Sequence, residues 1–357
     1  MRIRLSLLLA AACASHLSAA SAGADGADPI LAGRGVVTMP GAAGGWGFPA
    51  LTPDGGQLLL ARRENGLAVY DTASQAAPVT IPGTEGANAA AVAPSADRIY
   101  VASMDGSVIV VRASDRHVLK RLPVDAGNLN NVLYDPDSGQ VLLTSGRRDA
   151  VTRVYRLDPA CDCVRAQLDL PAAKLDAPVL LGPGLAALPL RDEGRVAVID
   201  LRRMAVTRLW QPPSCPRPGA LAADPAGARL FVACRGADPR VLSLDAASGA
   251  VLASAPAGRD INALAYDAGR GWLLAPSGTD ARLSIYEARE SGRLRRLAAI
   301  GTRPWAHNMA YDARRGIAYL PSMDDTEVYA ASGGEAQRHF AADSYAVTTL
   351  RLREARP

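Results

Sequence analysis

The sequence predicts an all-β protein, specifically a seven-bladed β-propeller of four-stranded antiparallel blades. Three observations lead to this prediction: a unit that recurs about every forty residues, four short apolar runs in most units, and abundant glycine (33) and proline (25) among the 357 residues. A single four-stranded sheet cannot bury both of its faces, whereas seven sheets packed radially can. We therefore expect one domain over residues 33–353.

The recurring unit starts with an apolar run, a turn rich in Asp, Pro or Gly, and a second apolar run. Clear copies are "ALTPDGGQLLLAR" (50–62), "VLYDPDSGQVLLTS" (132–145) and "MAYDARRGIAYLPS" (309–322), with a shortened copy, "VLLGPGLAALPL", at 179–190. The turn falls at Thr52, Ala93, Asp135, Gly182, Asp224, Asp267 and Asp312. The four aspartates are expected to form the turns themselves, because Asp side chains accept hydrogen bonds from backbone amides just ahead of them.

A third and a fourth run follow in each of the first six units, but the seventh unit is incomplete. Its third strand is expected at "TEVYAAS" (326–332), and no fourth run follows directly. The N-terminal stretch "GRGVVTMPGAAGG" (33–45) reads like an outer strand and its exit loop. We therefore expect the N-terminal strand to close the ring in blade seven, with "YAVTTLRLR" (345–353) as the competing closing strand.

Several of these residues also resemble a known repeat. The "IYVAS" strand (99–103), the following "GSVIVV" run (106–111) and the loop from Gly301 to Pro304 resemble the YVTN-type β-propeller repeat. The resemblance covers about residues 33–332 and implies a seven-bladed propeller. For function it implies either an extracytoplasmic binding protein or a 6-phosphogluconolactonase-type hydrolase.

The N-terminus has the features of a secretory signal. A basic start, an apolar run at 5–12 and small residues at 18–22 predict a signal peptide over residues 1–22, cleaved after Ala22. The expected location is periplasmic or secreted. A lipoprotein anchored through Cys13 is less favoured, because it leaves a signal of only twelve residues. The apolar run is too short to span a membrane, and no later stretch is long enough either.

Charge and composition narrow the expected partners. The formal charge of +4 includes Arg2 and Arg4 of the signal, and no basic stripe with interleaved aromatics is present. Nucleic-acid binding is therefore not expected, and the predicted partner is a small molecule or an extracytoplasmic protein. We expect a monomer without cofactor. A metal site is not expected either, because metal binding needs several ligands and His117, His307 and His339 are the only histidines after the signal.

Four cysteines follow the signal, as is common in an oxidising compartment. Cys215 lies before the inner strand of blade five and Cys234 ends its second strand, so both reach one face of the ring and are expected to pair. Cys161 and Cys163 lie in a turn on the opposite face. They form either a disulfide with each other or two free thiols.

Ligands of propellers bind at a mouth of the central channel, which is walled by the loops entering the inner strands. The position five residues before each turn reads Gly47, Asn88, Asn130, Ala177, Gly219, Asn262 and His307. Polar groups thus concentrate in blades two, three, six and seven, whereas blades four and five offer only small residues. The candidate ligand-binding residues are Trp46, Asn88, Asn130, Arg259, Asn262, Arg303, Trp305, His307 and Asn308.

Each candidate also has a purely structural interpretation. Asn88 and Asn130 can hydrogen-bond loop backbone, and Trp46 and Trp305 can fill the junction where the ring closes. His307 can be a satisfied structural histidine.

Two functions remain. We expect an exported propeller that binds a small ligand or a protein at the mouth near blades six, seven and one. The alternative is a lactonase-like hydrolase in which Arg259 or Arg303 holds an anionic group while His307 and Asp260 activate water. Binding is preferred because no nucleophile–base pair is recognisable.

Overall fold

The computed structural model describes residues 30–74, 76–290, 292–328 and 337–354. The predicted signal peptide and Cys13 lie outside these residues. Seven four-stranded antiparallel sheets form a ring, as predicted, and helical structure is limited to the 3₁₀ turns Pro94–Ala96 and Arg191–Glu193 in the described part. No helix of this part is both long and apolar enough to cross a bilayer.

The strands of each blade run in chain order from the channel outwards, except in blade seven. Blade one contains Pro49–Leu51, Gln57–Ala61, Leu67–Asp71 and Val79–Ile81. Blade two contains Ala87–Ala93, Arg98–Ser103, Ser107–Arg112 and Val118–Pro123. Blade three contains Leu129–Asp135, Gln140–Ser145, Thr152–Asp158 and Cys163–Leu170. Blade four contains Val179–Gly182, Leu185–Leu190, Arg195–Asp200 and Ala205–Trp210.

The remaining blades follow the same plan. Blade five contains Arg217–Asp224, Arg229–Arg235, Arg240–Asp245 and Val251–Pro256. Blade six contains Ala265–Asp267, Trp272–Ser277, Arg282–Glu287 and Arg295–Gly301. Blade seven contains Ala310–Asp312, Ile317–Ser322, Tyr345–Leu352 and, outermost, Leu31–Met39.

The core lies between neighbouring blades rather than within any one of them. Successive side chains of a strand point to opposite faces, so the second strand of blade one sends Leu58 and Leu60 towards blade seven and Leu59 and Ala61 towards blade two. All four are at most 1% exposed. Burying each leucine contributes about 1.5–3 kcal/mol, and that gain requires a neighbouring blade on both sides.

The first and the last described strands both lie in blade seven, and this arrangement corrects one prediction. The N-terminal strand closes the ring as the outermost strand, as predicted, and it pairs antiparallel with Tyr345–Leu352. The third strand is this C-terminal segment, which also pairs with Ile317–Ser322. The assignment of residues 326–332 to the third strand is wrong: Asp325–Val328 instead pairs with Gln337–Phe340 in an inserted hairpin.

The physical reason why the C-terminal segment forms the third strand is the pattern of apolar side chains in the two competing segments. Tyr345 and Val347 pack towards blade one, and Leu350 and Leu352 pack towards blade six, so the C-terminal segment fills the core on both sides. The stretch beginning at Asp325 is too polar to do so.

Two disulfides are present. Cys215 and Cys234 are bonded, as predicted, and link the loop before the inner strand of blade five to the end of its second strand. Cys161 and Cys163 are bonded to each other, which settles the alternative between disulfide and free thiols. Disulfides are typical of proteins that fold in oxidising compartments.

Candidate functional site

The channel mouth on the face of the inner-strand entry loops holds a cavity of about 250 Å³. Two sets of loops wall it, because the loops entering the inner strands and those leaving the second strands emerge on the same face. A smaller and largely apolar cavity of about 190 Å³ lies among the inner strands and shares Phe48 and Asn262 with the first. The mouth is thus a polar funnel above an apolar channel.

Most of the predicted site residues lie at this cavity. Those lining it are Trp46, Asn88, Asn130, Asn262, His307 and Asn308, together with the candidate catalytic residue Asp260. The other three candidates do not line it. Arg259 is largely exposed and donates Nε and Nη2 to one oxygen, Oδ1, of Asp280 at 2.9 and 2.7 Å, and Arg303 pairs with Asp324. Trp305 lies beneath the guanidinium of Arg338, 3.4 Å from the ring centre.

The asparagines of blades two and three link neighbouring blades. The Asn88 amide donates to the backbone carbonyl of Asn130 at 3.2 Å, and the Asn130 amide donates to the carbonyl of Leu175 in the loop entering blade four, at 3.0 Å. Both side chains therefore hold the entry loops in position. The amide oxygen of Asn88 also accepts from Arg63 Nε at 3.3 Å.

A second chain of amides crosses the junction between blades seven and one. Asn262 donates to Asn308 Oδ1 at 2.9 Å, and Asn308 donates to the carbonyl of Gly47 at 2.8 Å. A Cβ on Gly47 would lie only 1.7 Å from the carbonyl oxygen of Asn88, so the close approach of blades one and two at this point requires glycine.

His307, Asp260 and Arg235 form a charged triplet at the mouth. Asp260 Oδ2 contacts His307 Nδ1 at 2.7 Å, and Asp260 Oδ1 accepts from Arg235 Nη1 at 2.7 Å. Burial of Asp260 opposes its ionisation, but the His307 hydrogen bond and the charges of His307 and Arg235 outweigh it and hold the Asp260 pKa well below its usual value. A Cβ on Gly278 would lie 2.8 Å from His307 Cβ, so glycine leaves room for the pair.

Asp176 and Arg191 form the most buried ion pair of the cavity. Arg191 donates Nε to one Asp176 oxygen at 2.5 Å and Nη2 to the other at 2.6 Å, and the two side chains are 9% and 3% exposed respectively. Lys174 lies beside them, its Nζ 3.9 Å from Asp176 Oδ1. Burial lowers the pKa of Lys174, and the positive charge of Arg191 lowers it further.

Five charged residues at the mouth were not predicted, and they correct the expectation that blades four and five offer only small residues. Lys174, Asp176 and Arg191 come from blade four, Arg235 from blade five and Arg63 from blade one. The three arginines end the second strand of their blades or follow within two residues of it. A comparison of the residues that follow the second strands, in addition to those in the entry loops, would have identified these three arginines.

Trp46 combines both interpretations made from the sequence. It is 5% exposed and packs against Phe340 and Tyr345, so it fills the junction between blades seven and one. It also lines the cavity and stacks on His307, with 5.8 Å between ring centres. Its indole Nε1 is buried without a hydrogen-bond partner in the described structure. Such a donor costs about 1–3 kcal/mol unless a water or ligand accepts from it.

Comparisons with known proteins support the fold and identify no family or function for this chain. Neither a family model nor a curated protein matches the chain, so the YVTN-type resemblance is not confirmed. A chain from the crystal structure of a mitotic checkpoint complex is 14% identical, with a TM-score of 0.71 and 99% of each chain covered. The WD40 repeats of RRP9 are 11% identical, with a TM-score of 0.69 and coverage of 89% of this chain and 97% of that one.

A further similar structure is the hydrazine synthase of Kuenenia stuttgartiensis, at 16% identity and a TM-score of 0.66, covering 80% of this chain and 94% of that one. Identities this low show a shared fold alone. The chain is therefore a seven-bladed β-propeller whose charged mouth has to be interpreted from its own residues.

Proposed function

We propose that this chain is an exported β-propeller that binds a small ligand at the channel mouth. The observation that carries the proposal is the 250 Å³ cavity, whose polar side chains are held in place by hydrogen bonds between blades. Side chains fixed before binding lose little further conformational entropy when the ligand arrives. The signal-like N-terminus and the two disulfides support export. An extracytoplasmic protein remains the alternative partner.

Native mass spectrometry of the mature protein, isolated from its own host, tests the proposal. We expect a species heavier than the polypeptide by the mass of one small molecule, and a mature chain that starts at Gly23. Arg235→Met should release the adduct, whereas Arg208→Met, on the exposed outer strand of blade four, should keep it. A bare polypeptide mass, or an adduct that survives at the mouth variant, would contradict the proposal.

The His307–Asp260 contact favours a second candidate, a lactonase-like hydrolase. Because Nδ1 faces Asp260, Nε2 is the ring nitrogen left to take a proton from water. Arg235, rather than Arg303 or Arg259, would then hold an anionic group of the substrate, because it lines the cavity. No Ser, Thr or Cys is among the lining residues described, so water would attack directly.

A panel of lactones and esters separates the two candidates. The hydrolase predicts turnover that His307→Ala abolishes with little change in melting temperature. Absence of turnover across the panel excludes the hydrolase and leaves the binding function standing.

A further inference from the structure

The charges at the mouth are not balanced. Four permanently or normally cationic side chains line the cavity together with two carboxylates: Arg63, Lys174, Arg191 and Arg235, with Asp176 and Asp260. Neutral ligands do not require such an excess. Partly buried charges are also costly unless a counter-charge lies close to them.

Both carboxylates are already engaged. Asp176 uses its two oxygens for Arg191, and Asp260 uses one oxygen for Arg235 and the other for His307. The two remaining cations, Arg63 and Lys174, therefore lack a carboxylate at hydrogen-bonding distance.

Arg63 has one weak polar contact through its side chain, from Nε to Asn88 Oδ1 at 3.3 Å. It takes part in no ion pair among the residues described; burial lowers its pKa, and the negative charge of the neighbouring Glu64 acts in the opposite direction. It nevertheless stays charged, because an arginine does not lose its proton in a protein.

Lys174 is in a similar position. Its ammonium group is 3.9 Å from Asp176 Oδ1, beyond hydrogen-bonding distance, and its side chain is 25% exposed. The nearby positive charge of Arg191 makes the position less favourable for a cation. Both residues line the same cavity as Trp46, whose buried indole nitrogen has no hydrogen-bond partner among the described residues.

We infer that the ligand of the mouth is a small anion whose carboxylate or phosphate oxygens bind Arg63 and Lys174. This inference rests on the proposed binding function and specifies the ligand class. An anion would supply a hydrogen-bonded counter-charge, which neither cation has within the described part of the protein, and charge-assisted hydrogen bonds are about twice as strong as neutral ones. The cavity, at about 250 Å³, has the volume of roughly eight waters of about 30 Å³ each, which suits a small molecule.

Isothermal titration calorimetry of the whole mature protein tests the inference. The titrants are succinate, inorganic phosphate and succinamide, compared at equal ionic strength. Succinamide is the neutral diamide of succinate and nearly its isostere. We expect at least one of the two anions to bind at least tenfold more tightly than succinamide. The affinity should fall as salt is added, because added ions screen the attraction.

Variants locate the binding. Arg63→Met and Lys174→Met keep the aliphatic stems and should each weaken anion binding at least tenfold. Lys174→Arg retains the charge and should stay within about threefold of the wild type. Arg208→Met removes an equivalent charge from the exposed outer strand of blade four and should change nothing. Melting temperatures of all four variants establish that each is folded.

Three results would overturn the inference: no binding of either anion at 10 mM, succinamide binding as tightly as the more tightly bound of the two anions, or unchanged anion binding in both methionine variants. The proposed binding function and the anion inference can be contradicted by different results. A neutral or cationic adduct at the mouth in native mass spectrometry would contradict the anion and keep the binding function.

Discussion

Replacing Arg191 with Met is expected to destabilise the propeller by about 3 kcal/mol. The change leaves Asp176, only 3% exposed, without the two hydrogen bonds that Arg191 donates. Removing one partner of a buried ion pair costs about 3–5 kcal/mol, and the loss falls at the lower end because Lys174 lies 3.9 Å from the remaining carboxylate. A folded unit of roughly 300 residues unfolds with an entropy of about 0.6 kcal/mol/K, so the melting temperature should fall by about 5 °C.

Guanidinium unfolding at pH 7, followed by circular dichroism, measures the effect. Arg217→Met is a matched control because its ion pair with Asp192 on the same face is half exposed, and it should cost no more than about 0.5 kcal/mol. The double variant Asp176→Leu/Arg191→Met removes both charges and should recover most of the loss. A single variant within about 1 kcal/mol of the wild type, or a double variant as unstable as the single one, would refute the reasoning.

Three further predictions concern Asp260, Gly47 and the Cys215–Cys234 disulfide. Asp260→Asn should lower the free energy of unfolding by about 1–3 kcal/mol at pH 7. Because the folded-state pKa of Asp260 is depressed, this difference in unfolding free energy between wild type and variant should be at its full size above about pH 4 and shrink as the pH falls further. Urea unfolding that shows a constant difference down to pH 3 would contradict this prediction. Gly47→Ala should lower stability by about 2 kcal/mol or more in thermal unfolding, while Gly301→Ala, with open space around its Cβ position, should be neutral; equal effects would be the contrary result. Replacing Cys215 and Cys234 with Ser opens a loop of about 20 residues and should cost about 3 kcal/mol in denaturant unfolding, and a loss under 1 kcal/mol would count against it.

The repeat made the fold predictable from the sequence. The apolar runs around each turn alternate so that Leu58 and Leu59 face different neighbours, and only a ring of blades buries both. The prediction from the repeat was wrong in blade seven, because an inserted hairpin begins at the point where a third strand is expected. Position in the repeat favoured residues 326–332, but burial favoured Tyr345–Leu352, and burial decides which segment enters the core.

The site was predictable to the extent that it lies on repeated loops. Asn262 and His307 occupy one column of the repeat, and the structure places both at the mouth. Arg191 and Arg235 belong to another column, after the second strands, and nothing in the residue type separates them from the many solvated arginines of the chain. Arg259 was predicted to lie at the mouth and does not line it. It precedes Asp260 in sequence, but its side chain points away from the cavity to pair with Asp280.

The central claim is that a small anion occupies the channel mouth between Arg63 and Lys174. The most direct test is a crystal structure of the protein purified from its own host without added ligand. We predict density for one small molecule in the mouth, with carboxylate or phosphate oxygens within 3.2 Å of both Arg63 Nη and Lys174 Nζ. A mouth that contains only water, or a bound molecule located elsewhere on the propeller, would contradict the account.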